Sequence, residues 1–191
     1  MKKLLCILLL ITTSAVAAEN TPATYYIPPT QFNAAIQIMN LGFANIFGLF
    51  RSATGSFVFD ENSKSISRLR LAIDAASVMS NNPESQNDLA MLLGVTQFPE
   101  ISITAPESAA FAEGKASLKG TLTLHGTSKP LTLEATLNRQ GKTPQSTGEA
   151  IGLSIRASFK RADFGIGDDP NMPSRFGDTI TLMLEMQAMR Q

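Results

Sequence analysis

LTLHGTSKPLTLEATL, residues 122–137, is the stretch whose reading decides the fold. Leu122 and Leu124 alternate with threonine, and beyond His125-Gly126 the alternation resumes at Leu131, Leu133, Ala135 and Leu137. Period two with one polar face is the pattern of a strand that buries one side. Two such runs around a Gly-containing turn, with Pro130 opening the second, predict an antiparallel hairpin. The stretch also holds the single histidine of the chain. It therefore asks whether imidazole serves chemistry here or only a turn.

The same alternation runs outward in both directions. Phe32, Ala34, Ile36 and Ile38 share a face; Phe57 and Phe59 follow, then Leu69, Leu71, Ile73 and Ala75 between Arg68, Arg70 and Asp74. Further on come Ile101 and Ile103, Leu118 ahead of Leu122, then Ile151, Leu153, Ile155, Ala157 and Phe159, and last Ile180, Leu182, Leu184 and Met186. Turn-rich segments at 60–64, 125–130, 139–148 and 167–173 separate them. Only 81–94 reads as a helix, with Pro83 in its first turn and Gly94 as its stop. About eight half-buried strands and one short helix predict an all-β fold, an antiparallel barrel or a two-sheet sandwich. An outer-membrane barrel alternates too, but needs aromatic girdles at both bilayer interfaces. This chain has no tryptophan and two tyrosines, Tyr25 and Tyr26, side by side.

Residues 1–18 open with Lys2 and Lys3, continue through an apolar run from Leu4 to Ile11, and close on Ala15-Val16-Ala17-Ala18. That order predicts a cleaved signal peptide, 1–18, ahead of a single domain, 19–191. The apolar run is shorter than the ~20 residues a bilayer-spanning helix needs, and no arginine pair precedes it, so the Sec route into the periplasm is expected. Cys6 falls inside this segment, so the mature domain has no cysteine and no disulfide. The 16 basic and 16 acidic residues balance, and losing Lys2 and Lys3 leaves a slight acidic excess. That argues against nucleic acid as a partner, and no integral membrane segment remains after cleavage.

The chemistry-bearing patterns are sparse. A zinc site needs clustered Cys and His, and a base-activated nucleophile needs imidazole or a substitute. With one histidine, at a turn, no catalytic role and no metal are expected for His125. Asp168-Asp169-Pro170-Asn171 lacks the spacing of an EF-hand and reads as a solvated turn. Neither a phosphate-binding Gly-rich loop nor a nucleophile elbow is present, and no cofactor is expected. LGFANIFGLF, residues 41–50, reads equally as core with a bend or as the apolar mouth of a ligand barrel. Barrels of about eight strands can be filled or can hold one small ligand. Met39, Met91 and Met186 fit either.

The stretches at 40–60, 87–105, 120–137 and 160–166 (the last KRADFGI) resemble, in order and spacing, the YceI-like family. The resemblance covers the mature chain, and GTLTLHGTSKPLTL is its most specific part. It implies an extended lipocalin-like antiparallel barrel of an exported polyisoprenoid-binding protein, with a long chain such as that of a quinone in an apolar tunnel. It also implies a plain turn at His125. The sequence departs from the family pattern at Asn40, where histidine is usual, and at Gln31, Pro28 and Met79.

The expected function is non-catalytic carriage or sequestration of an isoprenoid lipid. The alternative is an exported barrel with a filled core that acts through its surface on a partner or in a stress response. Carriage assigns the ligand-binding wall to Ile38, Phe57, Phe59, Leu71 and Ile73 with Leu122, Leu124, Leu133 and Leu153. These should enclose a continuous apolar cavity, with Phe43 and Phe47 near its mouth.

Overall fold

A computed structural model describes residues 21–144, 146–167 and 175–191. Residues 1–18, expected to be a signal peptide, and the stretch 168–171, expected to be a turn, lie outside the described residues. Within them the strands are β1 (Ala23–Ile27), β2 (Phe32–Asn40), β3 (Ala44–Phe50), β4 (Ala53–Asp60), β5 (Ser65–Asp74) and β6 (Val78–Met79). Helix α1 (Pro83–Leu93) follows, then β7 (Glu100–Ala105), β8 (Ala109–Ala110), β9 (Lys115–Leu124), β10 (Thr127–Thr143), β11 (Ser146–Lys160) and β12 (Phe176–Arg190).

Eight strands close an antiparallel ring in the order β1-β4-β5-β7-β9-β10-β11-β12 and back to β1. Closure removes every free edge from that ring. The barrel, not the sandwich, is therefore the fold. The hairpin at 122–137 forms as read, with Leu124 opposite Thr127 and Leu133 opposite Leu118. The long β10, β11 and β12 carry the alternation furthest, Ile155 facing Leu184 and Leu153 facing Met186 across the ladder.

One strand of the wall is broken in two. β1 and β2 both pair with β12, β1 at Met189 and Arg190 and β2 from Phe176 to Met186. Between them lie Pro28 and Pro29, whose fixed φ and missing N–H interrupt a ladder. A short 3-10 turn, Pro29–Gln31, makes the step.

β3 and β4 show the same division. β4 pairs with β1 and β5, whereas β3 pairs with β2 and meets β6 only at Leu49 and Phe50. The β2–β3 hairpin thus rises past the level at which β5 ends. The gap left beside β3 is closed by β6 and α1. The helix starts where the sequence expects: Asn82 caps it, its side-chain oxygen accepting from Ser85 N at 2.8 Å, with Pro83 in the first turn. It stops at Gly94, which adopts φ +60°. Leu89, Leu92 and Leu93 turn into the barrel core.

Candidate functional site

The barrel interior is the one place where the topology gathers the residues that the sequence singles out. Ile38, Phe57, Phe59, Leu71, Ile73, Leu122, Leu124, Leu133 and Leu153 are all buried in a single apolar core. Among the described residues, the buried set contains one polar residue, Ser85, and that lies on α1 rather than on the ring. Tyr25 adds one hydroxyl. Burial, and second the Glu61 carboxylate, hold its phenol above the usual pKa of 10.0.

The two ends of this interior differ. Toward the β4–β5 turn, Tyr25 stacks on Phe57 at 5.6 Å, meets Phe59 edge-on at 6.3 Å, and Phe59 in turn meets Phe111 at 6.2 Å. Beneath α1 the lining is mostly aliphatic. Ile36, Leu93, Ile101, Leu122, Leu124, Phe159, Ile180 and Leu182 surround an enclosed void of about 10 Å³. That is at most the space of one water molecule, and ligand cavities run to a few hundred Å³.

The continuous tunnel expected from the alternation is therefore not open in this structure. The reason is volume. Aromatic rings fill one end, and the leucines of α1 reach down into the other. Phe43 and Phe47 take no part in the interior. Phe43 sits at the β2–β3 tip, 91 % exposed, and Phe47 faces outward, 50 % exposed. Phe47 does line a groove of about 390 Å³ between β3 and the segment leading into α1, with Leu49, Met79, Ser80 and Asn82.

His125 stands at the hairpin tip, as read, with φ +51° beside Gly126 at +70°. The pair of positive φ values is the backbone of a tight hairpin turn, for which glycine is well suited and histidine tolerated. A contact invisible in the sequence goes with it. The imidazole packs on Phe98, 4.4 Å between ring centres, and lies over Gly94 at the end of α1. A Cβ at Gly94 would come within 2.8 Å of that imidazole, and one at Gly126 within 2.6 Å of the Phe98 ring. The hairpin, the helix end and Phe98 are thus locked together at the α1 end of the barrel. Among the described residues, no group of three or more His, Cys, Asp or Glu is placed to hold a metal ion.

KRADFGI, residues 160–166, also belongs to this end. Arg161–Phe164 form a 3-10 turn that buries Phe164 against Phe159 at 5.1 Å, and the Arg161 guanidinium donates to the Ile166 carbonyl at 2.9 Å. Asn40 accepts from Arg175 Nε at 3.1 Å. Arg175 reaches across to Asp88 and Glu84 of α1 at 2.9 and 3.5 Å. A polar residue at position 40 therefore anchors the helix to the hairpin base.

The model of the YceI-like domain matches residues 25–188, which span the ring and its capping helix. The chain belongs to the YceI-like family. It is similar to Protein YceI of Salmonella arizonae, 33 % identical over 189 residues, covering 96 % of this chain and 93 % of that one. In structure it is similar to BcnA of Burkholderia cenocepacia, with a TM-score of 0.72 at 16 % identity over 84 % of this chain and 98 % of that one. It is also similar to a polyisoprenoid binding domain from Saccharophagus degradans, TM-score 0.61, 14 % identity, covering 90 % and 100 %. At such identities the two structures speak for the YceI-like fold alone.

Proposed function

We propose that this YceI-like protein carries or sequesters an isoprenoid lipid, of quinone or polyprenyl type, without catalysing a reaction on it. The observation that carries this reading is the interior: a closed eight-strand ring whose described buried side chains are apolar but for the Tyr25 hydroxyl. Such a surface offers area to hydrocarbon. The polyisoprenoid binding of the Saccharophagus degradans domain supports the choice of ligand. The charged, apolar and small-residue order of 1–18 supports export, and we place the protein in the periplasm. Loading a chain into a void of about 10 Å³ requires space. It comes from displacement of α1 and repacking of the aliphatic side chains beneath it.

The small void favours a second reading, in which the core stays filled and the protein acts through its surface. Organic extraction of the purified protein followed by mass spectrometry separates the two. Carriage predicts an isoprenoid lipid in stoichiometric yield. It also predicts that an isoprenoid quinone raises the melting temperature of delipidated protein, by about 2.7 kcal/mol of stability at a hundredfold excess over Kd. Ala157 faces the interior, so Ala157→Phe should abolish that rise at a cost of about 1–3 kcal/mol for overpacking, with far-UV circular dichroism checking that the barrel persists. Empty extracts, and a melting temperature that no isoprenoid moves, establish the filled-core reading instead.

A further inference from the structure

The exposed apolar side chains of this protein are not scattered. Among the described residues, the large exposed hydrophobics are Tyr26 and six others: Met39, Leu41, Phe43, Phe47, Leu49 and Met91. Five of the six lie on the β2–β3 hairpin. Met91 lies on α1, one turn beyond Asp88, which Arg175 ties to Asn40 at the hairpin base. Scattered exposed hydrophobics need no explanation, whereas a cluster at one end does.

The tip itself is unusual. Leu41 has φ +49° and Gly42 +73°. A tight hairpin prefers Asn-Gly or Asp-Gly at such a pair, and a leucine is strained there. Leu41 is also exposed, so no buried contact offsets that strain. Phe43 beside it is 91 % exposed. No Asp, Glu, Lys or Arg occurs between Glu19 and Arg51, so the whole hairpin is free of formal charge. The charges at its base, Arg175, Glu84 and Asp88, pair with one another.

We infer that this end of the barrel docks on the surface of an uncharged, zwitterionic lipid bilayer, with Leu41 and Phe43 inserted at the boundary of headgroups and acyl chains. A charge-free tip bearing leucine and phenylalanine meets no ionic cost on entering that region, where aromatic rings are favoured. A second copy of the chain is the rival occupant. The protein-concentration arm of the test below separates the two. With no lysine or arginine on the hairpin, the attraction does not depend on anionic lipid and is insensitive to salt. Docking does not rest on lipid carriage: an empty barrel presents the same tip. A carrier that never docks would yield extracted lipid with no response to vesicles.

The absence of tryptophan from the chain makes the test clean. Phe43→Trp places a single indole at the tip, and mature protein is titrated with phosphatidylcholine vesicles. The expected result is a blue shift, quenching by lipid brominated near the headgroup end of its chains, and no change between low and high salt. Adding Leu41→Asp should weaken partitioning at least about tenfold without lowering the melting temperature, because aspartate tolerates the left-handed backbone. Co-sedimentation of Phe43→Ser with the same vesicles checks the result without the indole. An emission spectrum unmoved by vesicles overturns the inference. So does a blue shift that grows with protein concentration alone, which would assign the tip to self-association, or one that appears only with anionic lipid.

Discussion

The two ends of the barrel are closed by different materials. At the β4–β5 end, Tyr25, Phe57, Phe59 and Phe111 interlock as rings, and both β1 and β12 seal the wall around them. At the other end the seal is a separate element, α1, laid over aliphatic side chains and a small void. Rings packed face to edge lose much when one is removed, since neighbours cannot close the space. A helix resting on leucines and isoleucines can shift with less loss. The comparison teaches where a YceI-like barrel of this sequence could open: at the end that carries its exposed apolar tip, and not at the end packed with aromatics.

The largest test of that asymmetry is Phe59→Ala. It should cost about 3–5 kcal/mol in chemical denaturation and create no usable path for lipid, because the cluster lies away from α1. Leu93→Ala comes next, at about 2 kcal/mol, the low end for buried leucine, because Leu93 already borders a void. It should also speed the uptake of isoprenoid quinone, read from the rate of the melting shift. Equal costs for the two variants would remove the distinction between the ends.

Arg175→Gln loosens the helix without touching the core. Its ion pairs with Glu84 and Asp88 are partly exposed, so stability should fall by less than about 1 kcal/mol, with the difference shrinking in high salt. Amide exchange should quicken in α1 and leave β10–β12 unchanged; uniform quickening would show that the helix is not an independent lid.

Tyr25→Phe has the smallest effect at neutral pH. The folded-state pKa of Tyr25 is raised above 10.0, so its contribution to stability is complete below that pH and is lost as pH rises through the raised value. Wild type should therefore lose melting temperature on the alkaline limb more steeply than Tyr25→Phe, and the two should coincide at pH 7.

Much of the ring was legible because its signal is local. Eight alternating segments predicted from the sequence are β2, β4, β5, β7, β9, β10, β11 and β12, and the helix limits follow from Pro83 and Gly94. β6 and β8 are two residues each, too short for a period to register. β1 hides behind its prolines. β3 alternates with exposed apolar residues on its outer face, Phe47 and Leu49, so the usual contrast between polar and apolar faces is missing. The burial of the nine residues assigned to the wall was legible by the same logic, whereas their partners were not. Nothing within 122–137 announces that His125 meets Phe98, or that Arg175 bridges Asn40 and α1, since those pairs join distant positions in the chain.

The sequence by itself determined which side of the eight alternating strands faces inward, most of the turns and the ends of the helix. Each of these follows from a residue's own backbone preference or from a neighbour two to four positions away. The expected turn at 139–148 is largely strand instead, β10 running to Thr143 and β11 starting at Ser146, because polar residues are tolerated on the outer face of a ring. Tertiary structure alone decided which strands close the ring, that β1 and β2 share one flank of β12, and how much space remains inside. Cavity volume is a small difference between the ring's capacity and the summed bulk of side chains from every element. Such a difference has no local signature. The void of about 10 Å³ beneath α1 emerged only when the leucines of a helix met the inner faces of strands far away in the chain.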